Sequence, residues 1–348
     1  MRHVLTAAAT AALIAAMASP AVASSENEAG TPSSNAAGTA TSAIKTNERN
    51  GSFDLQSHRG GRGEWTEESL AAFENSLALG VTTLELDTHL TEDGKVVVWH
   101  DDTIQAGKCK DTGDAGYVGK RVADLTLAQI KTLDCGFKQL SGYPVQDVIE
   151  GNRIAELKDV YQLVRDAKAA KVRFNVETKV ESSEVGGAGM ESLTRAVVAE
   201  IQASGMADRT TLQSFDWSSL NLTREIAPEL PLVALSSGNA WMGVGQPGAS
   251  RNLGGIDIDD YAGSLPKAAA AHGYDAVSPT FSSVTPEMIA EAHALDLPVI
   301  PWTVNTAADM ERLMDLGVDG IITDYPTRLR TLMEERGLKL PKAYEVKG

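Results

Sequence analysis

Cysteine is almost missing from this chain: two, Cys109 and Cys135, in 348 residues. That excludes a disulfide-dense scaffold and a multi-cysteine zinc module. An even pair in an exported chain favours one bridge, which would close a loop of about 25 residues and stabilise it by roughly 3 kcal/mol. A thiol or metal pair is the alternative, but no further His or Cys stands at zinc spacing beside them. Aromatics are sparse at 5%. Positive charge is short too: 31 Lys and Arg face 47 Asp and Glu, a formal net charge of -16. That balance argues against nucleic acid and anionic membrane surfaces as partners. Long apolar runs are also lacking. The run at 7–17 is too short to span a bilayer. With Arg2 before it and Ala21-Val22-Ala23 after it, residues 1–23 read as a secretory signal peptide, so export without a transmembrane segment is expected. No twin arginine precedes the run and no cysteine follows the cleavage site, which favours general secretion without a lipid anchor. Residues 24–50 hold hardly any large apolar side chain and read as a disordered leader. No internal repeat stands out, and nothing fixes an oligomeric state.

From residue 51 onward the chain alternates regularly. Short apolar strands are predicted at 53–57, 83–90, 172–177, 210–213, 231–235, 276–278, 298–302 and 320–323. Helical periodicity falls at 66–79, 157–170, 190–204, 217–226, 265–272, 286–295, 307–316 and 326–336. About eight strands alternating with helices predict an α/β fold, a TIM (β/α)8 barrel over 51–340. Residues 102–151 read as a small insertion after the second strand, and 236–263 as a long Gly- and Ser-rich loop. No glycine fingerprint for a dinucleotide follows any strand.

One stretch, 57–101, concentrates the chemistry. It opens with Ser57-His58-Arg59-Gly60-Gly61 and contains Glu85-Leu86-Asp87. After the turn signal Asp93-Gly94 it closes with Val96-Val97-Val98-Trp99-His100-Asp101. On a strand, Glu85 and Asp87 share a face, with Leu84 and Leu86 on the other. Two adjacent carboxylates form either an exposed acidic face or a site for a hard divalent cation that accepts both. His58 ends the first predicted strand; Glu177 ends the third, with Lys179 at the same parity; Phe215 follows the fourth and Trp302 ends the seventh. Barrel chemistry sits at such strand ends.

The order His-Arg-Gly, Glu-Ser-Leu-Ala-Ala-Phe, Glu-Leu-Asp and Val-Val-Val-Trp-His-Asp resembles the glycerophosphodiester phosphodiesterase family, over about 53–330. The family's Pro-Glu-Asn-Thr-Leu becomes Thr66-Glu67-Glu68-Ser69-Leu70 here, so Glu68 stands in place of Asn. The resemblance implies a metal-dependent barrel hydrolase that acts on small glycerophosphodiesters. Glu85, Asp87 and Glu177 would be the metal ligands, for Ca²⁺ or Mg²⁺ because the donors are all oxygen. His58 and His100 would be base and acid. Arg59 and Lys179 would meet the phosphate, and Phe215 and Trp302 would line the pocket. His89 is read as structural or as a support to the site, His272 and His293 as surface residues on helices, and the segment 319–326 as scaffold and turn. Two rivals remain. One is a phospholipase D-like or phosphoinositide-type enzyme acting on lipid, hinted at by Trp241-Met242. The other is a non-catalytic secreted binding barrel.

Overall fold

The computed structural model describes residues 52–345, all within the unit Ala36–Gly348. The expected signal peptide (1–23) and leader (24–50) lie outside the described residues. The strands are β1 (Asp54–Ser57), β2 (Thr83–Leu90), β3 (Val96–Val98), β4 (Arg173–Thr178), β5 (Thr210–Ser214), β6 (Leu232–Ser236), β7 (Ala276–Pro279) and β8 (Gly320–Thr323). Apart from β3 they pair in parallel in the order β7-β6-β5-β4-β2-β1-β8. Residues 298–304 close the ring. The amides of Ile300 and Trp302 donate to Val277 and Pro279 of β7, at 3.0 and 3.1 Å. On the other side Ile322 of β8 donates to Pro301 at 3.0 Å and Val304 donates back to Ile322 at 3.0 Å. The predicted strand at 298–302 is a set of bridges rather than a continuous ladder because Pro298 and Pro301 carry no N–H. The result is the TIM barrel.

The helices are α1 (Leu70–Leu79), α2 (Leu127–Ile130), α3 (Leu157–Asp166), α4 (Ala188–Ser204), α5 (Trp217–Ile226), α6 (Asn239–Met242), α7 (Leu265–Ala271), α8 (Pro286–Ala294), α9 (Ala307–Leu316) and α10 (Pro326–Glu335). Leu84 and Leu86 of β2 pack outward into the same buried cluster as Phe73 and Leu77 of α1 and Val160 of α3. Their alternation leaves Glu85 and Asp87 facing the barrel interior. α1 starts at Leu70 rather than the expected 66. Glu68 has φ 55°, outside helical geometry, and the Ser69 hydroxyl caps the first turn by accepting from the Ala72 amide at 3.0 Å. α3 stops at Asp166, short of 170, where Lys168 turns left-handed at φ 50°. The expected loop at 236–263 contains α6 and a one-turn helix, Ile258–Tyr261.

The insertion has a core of its own. β2 turns at Asp93-Gly94 and returns antiparallel as β3, with His89 opposite Val97. Val96 and Val98 face the main core; Val97 and Trp99 face a second cluster with Ile104, Leu125, Ile130 and Leu133. Cys109 and Cys135 belong to that cluster and are joined by a disulfide, S–S 2.07 Å. Among the described residues no helix is long and apolar enough to cross a membrane.

Candidate active site

β1 ends in a tight turn that carries His58 and Arg59. Arg59 has φ 52°, followed by Gly60 at 76° and Gly61 at 89°. A Cβ at Gly60 would lie 2.9 Å from that of Ala72, so only glycine fits there. The turn aims the Arg59 amide at Glu85 Oε2, 3.0 Å away. His58 Nδ1 donates to Asp324 Oδ1 at 2.5 Å, and its Nε2 lies 4.0 Å from Glu85 Oε2. Asp324 also accepts from Tyr143 Oη (3.1 Å) and Asn305 Nδ2 (2.7 Å). Against the cost of burial, His58, Arg62 and Asn305 pull Asp324 down to about 2. Burial lowers His58 from its ordinary value, and Asp324 opposes the shift.

Glu85, Asp87 and Glu177 are buried and converge, with ligand atoms within 4.8 Å of one another. Burial and mutual repulsion raise Glu85 well above the usual carboxylate range, and burial lifts Glu177 to about 7, with Lys179 opposing. Asp87 moves the other way: despite burial, Lys179 and Arg59 hold it well below its ordinary value. Ligands at 2.3–2.6 Å from a Ca²⁺ lie at most about 5 Å apart, so three oxygen donors at this spacing fit a hard cation. Crowded carboxyls with raised pKa are what such a charge would relieve. Arg59 Nε lies 2.9 Å from Asp87 Oδ2, and Lys179 Nζ lies 2.8 Å from Glu177 Oε1 and 3.9 Å from Asp87 Oδ1. Both expected phosphate cations are thus tied to the carboxylate cluster.

Glu85 is also held from within the barrel. Gln213 Nε2 donates to Glu85 Oε1 at 2.8 Å, and Asn175 Nδ2 donates to Gln213 Oε1 at 2.8 Å and Gln56 Oε1 at 3.0 Å. Glu68 Oε1 accepts the Asp87 amide at 2.9 Å. Burial and the Asp87 charge push Glu68 well above the carboxylate range, which favours the neutral form at the position where the family has Asn.

His100 is held by different means. Its Nδ1 donates to Asp101 Oδ1 at 2.9 Å, and Asp101 Oδ2 receives Lys108 Nζ at 2.5 Å. Lys108 also pairs with Glu67, which lies 2.7 Å from Arg62 Nε and 3.6 Å from Arg59 Nη1. Burial takes His100 down to about 4; against burial, His100 and Lys108 hold Asp101 well below its usual value. His89 Nε2 reaches the His100 carbonyl at 3.2 Å, a supporting contact. Phe215 and Trp302 meet edge to face, centroids 5.1 Å apart, and Trp241 stacks edge-on to Phe215 at 5.6 Å. Every candidate side chain except the buried Asp87 lines one cavity of about 240 Å³, with Cys109 and Cys135 apart in the insertion.

The model of the glycerophosphoryl diester phosphodiesterase family matches residues 58–328. The chain belongs to this family. It is an enzyme, a phosphoric diester hydrolase. A glycerophosphodiester phosphodiesterase of Caldanaerobacter subterraneus subsp. tengcongensis is 30% identical over 280 residues, covering 80% of this chain and 97% of its own. A solved structure from Silicibacter pomeroyi DSS-3, assigned to the glycerophosphoryl diester phosphodiesterases, superposes with TM-score 0.75 at 32% identity, covering 87% of this chain and 99% of that one. A lysophospholipase D from Homo sapiens is 26% identical, covering 81% of this chain and 86% of its own.

Within this phosphodiesterase barrel, sequence reasoning overlooked Asp324, taken as turn, although a carboxylate just past the last strand sits at the reactive rim. It also overlooked Glu67, Lys108 and Gln213. Of the remaining histidines, His293 pairs with Asp319 at 2.9 Å and His272 contacts Tyr261 Oη at 3.1 Å, away from the site. Of the Trp241-Met242 pair, Met242 is buried and Trp241 is half-buried, packing edge-on against Phe215.

Proposed function

We propose that the chain hydrolyses glycerophosphodiesters to glycerol phosphate and an alcohol, with His58 as base and His100 as acid. The carrying observation is that each histidine gives Nδ1 to a carboxylate, Asp324 or Asp101, and lines the same cavity. A carboxylate only accepts, so Nδ1 bears the proton and Nε2 is left for the reaction. His58 Nε2 takes a proton from the nucleophile, either water or the neighbouring glycerol hydroxyl. His100 protonates the leaving oxygen. Burial keeps His100 near 4 in the free site, and the negative charge of a bound diester raises it towards working pH. Glu85, Asp87 and Glu177 would hold a divalent ion, Ca²⁺ or Mg²⁺, which when bound supplies charge neutralisation for the diester and its transition state. Arg59 and Lys179 keep those carboxylates in place, and Phe215 and Trp302 wall the glycerol side.

Export is part of this reading, because a disulfide at Cys109–Cys135 belongs in an oxidising compartment. The test is choline release from glycerophosphocholine, with and without chelator, beside intact phosphatidylcholine and lysophosphatidylcholine. Release from the first substrate alone is expected. Chelation should remove activity by on the order of 10³-fold, and Ca²⁺ or Mg²⁺ should restore it. Full activity after verified metal removal would end the metal assignment. Preference for the lysophospholipid would favour the lipid-acting rival, towards which the human relative points.

A further inference from the structure

A cleft of about 1030 Å³ opens beside the candidate site and shares Arg59, Arg62 and His100 with the smaller cavity. Its outer wall comes from the insertion, including Lys108, Lys138 and Tyr143. His100, the proposed proton donor to the leaving oxygen, borders both spaces, so the leaving alcohol extends into this cleft. The charge of the cleft runs against that of the protein. Arg59, Arg62, Lys108 and Lys138 line it against a single carboxylate, Asp101, in a chain of net charge -16. Arg59, Arg62 and Lys108 crowd around Glu67, and Arg59 and Lys108 pair further with Asp87 and Asp101, whereas none of the described ion pairs includes Lys138, which is exposed.

The aromatic faces in and around the cleft are already occupied. Arg62 lies 4.8 Å from the Tyr143 centroid, Lys138 lies 5.0 Å from that of Phe137, and Lys108 lies 5.3 Å from that of Trp99. A quaternary ammonium such as choline binds open aromatic faces, and here the protein's own cations cover them. A second cation would meet repulsion, whereas an anion would meet Lys138, which stands outside the described ion pairs.

Building on the phosphodiesterase reading, we propose that the insertion-walled cleft is a subsite for an alcohol that carries its own phosphate, with Lys138 as the cation that recognises it. In the reaction, the nucleophile's oxygen bonds to phosphorus. The bond from phosphorus to the alcohol oxygen breaks with its electron pair, and His100 delivers the proton to that oxygen. The phosphorylated alcohol then leaves through the cleft.

The test compares kcat/KM for three substrates that differ only in the alcohol: glycerophosphocholine, glycerophosphoglycerol, and glycerophosphoglycerol bearing a terminal phosphate. Wild type, Lys138→Ala and Lys138→Glu are each measured at low salt and at about 0.5 M salt. Wild type should favour the phosphorylated substrate over the choline one by about tenfold at low salt, and salt should shrink that preference. Lys138→Glu should lower the phosphorylated-to-neutral ratio by about three- to tenfold, and Lys138→Ala by less. A wild type that treats the three alike or prefers choline would overturn the subsite, as would an unchanged ratio in Lys138→Glu. Hydrolysis of none of the three would overturn the phosphodiesterase reading itself, and the subsite with it.

Discussion

The two histidines face one cavity but belong to different parts of the molecule. His58 is built into the barrel. Ser57 pairs with Thr323 across β1 and β8, so His58 and Asp324 are the next residues on adjacent strands. The hydrogen-bond ladder that closes the barrel therefore also sets their distance. His100 stands past β3, outside the parallel ring. Its carboxylate is its own neighbour Asp101, steadied by Lys108, which directly precedes Cys109 of the disulfide. The His58 side chain is 11% exposed and that of His100 is 30%. His58 rests on fold register, whereas His100 rests on a small separate core. Damage to the insertion should reach His100 and spare His58.

The largest effect should come from the barrel half. His58→Ala should lower kcat by roughly 10²- to 10⁴-fold on every substrate, because without a base no nucleophile is activated. Asp324→Asn should act through the same ring by removing the acceptor that fixes the tautomer, at a cost of roughly 10²-fold. Circular dichroism and metal content should be unchanged in both variants. A near wild-type rate for either variant, measured with glycerophosphocholine, would break the assignment of the base.

His100→Ala should cost roughly 10²-fold on glycerophosphocholine and much less on a nitrophenyl phosphodiester that the wild type accepts, since nitrophenolate leaves without a proton. Equal losses on the two substrates would refute His100 as acid. Lys108→Met should follow the same pattern at about three- to tenfold, the scale of one charge removed from a partly exposed network. Cys109→Ser with Cys135→Ser should take roughly 3 kcal/mol from the insertion's stability while leaving nitrophenyl hydrolysis close to wild type. Loss of the nitrophenyl reaction in either variant would show that the two halves are not separable.

The same division explains what the sequence made legible. Strand parity placed Glu85 with Asp87 and Glu177 with Lys179, because a two-residue period survives any sheet. His58 and His100 were readable through the resemblance of their motifs to the family. Asp324 was not, since its partner lies 266 positions away and only barrel closure brings them together. Gln213 and Asn175 were opaque for a similar reason: amides inside a strand carry no periodic signal, and their role appears only when the ring is formed. The insertion was visible as a break in the strand–helix alternation. Its core was hidden in short apolar fragments that no single period connects, and so was the placing of Lys108 against both Glu67 and Asp101.

The smallest effect concerns acid stability, and it sharpens the contrast once more. Burial holds His100 at about 4 when folded, against an ordinary 6.5. Between those values the unfolded chain takes up a proton that the folded ring refuses, so stability falls as pH drops through the window and is flat above it. Allowing for the ring's partial exposure, this amounts to about 1–2 kcal/mol. His58 and His89, also lowered by burial, add slope of the same sign. Asp324 acts later: it is ionised in the fold, and its contribution disappears only as pH falls from 3.8 towards about 2. Thermal melts from pH 7 to 4 should therefore decline in wild type and decline less in His100→Ala. His58→Ala should show a smaller relief than His100→Ala, because Asp324 already offsets part of the burial penalty on His58. Identical slopes in all three proteins would mean that neither ring is depressed by burial, and the contrast between a barrel-held and an insertion-held histidine would lose its electrostatic basis.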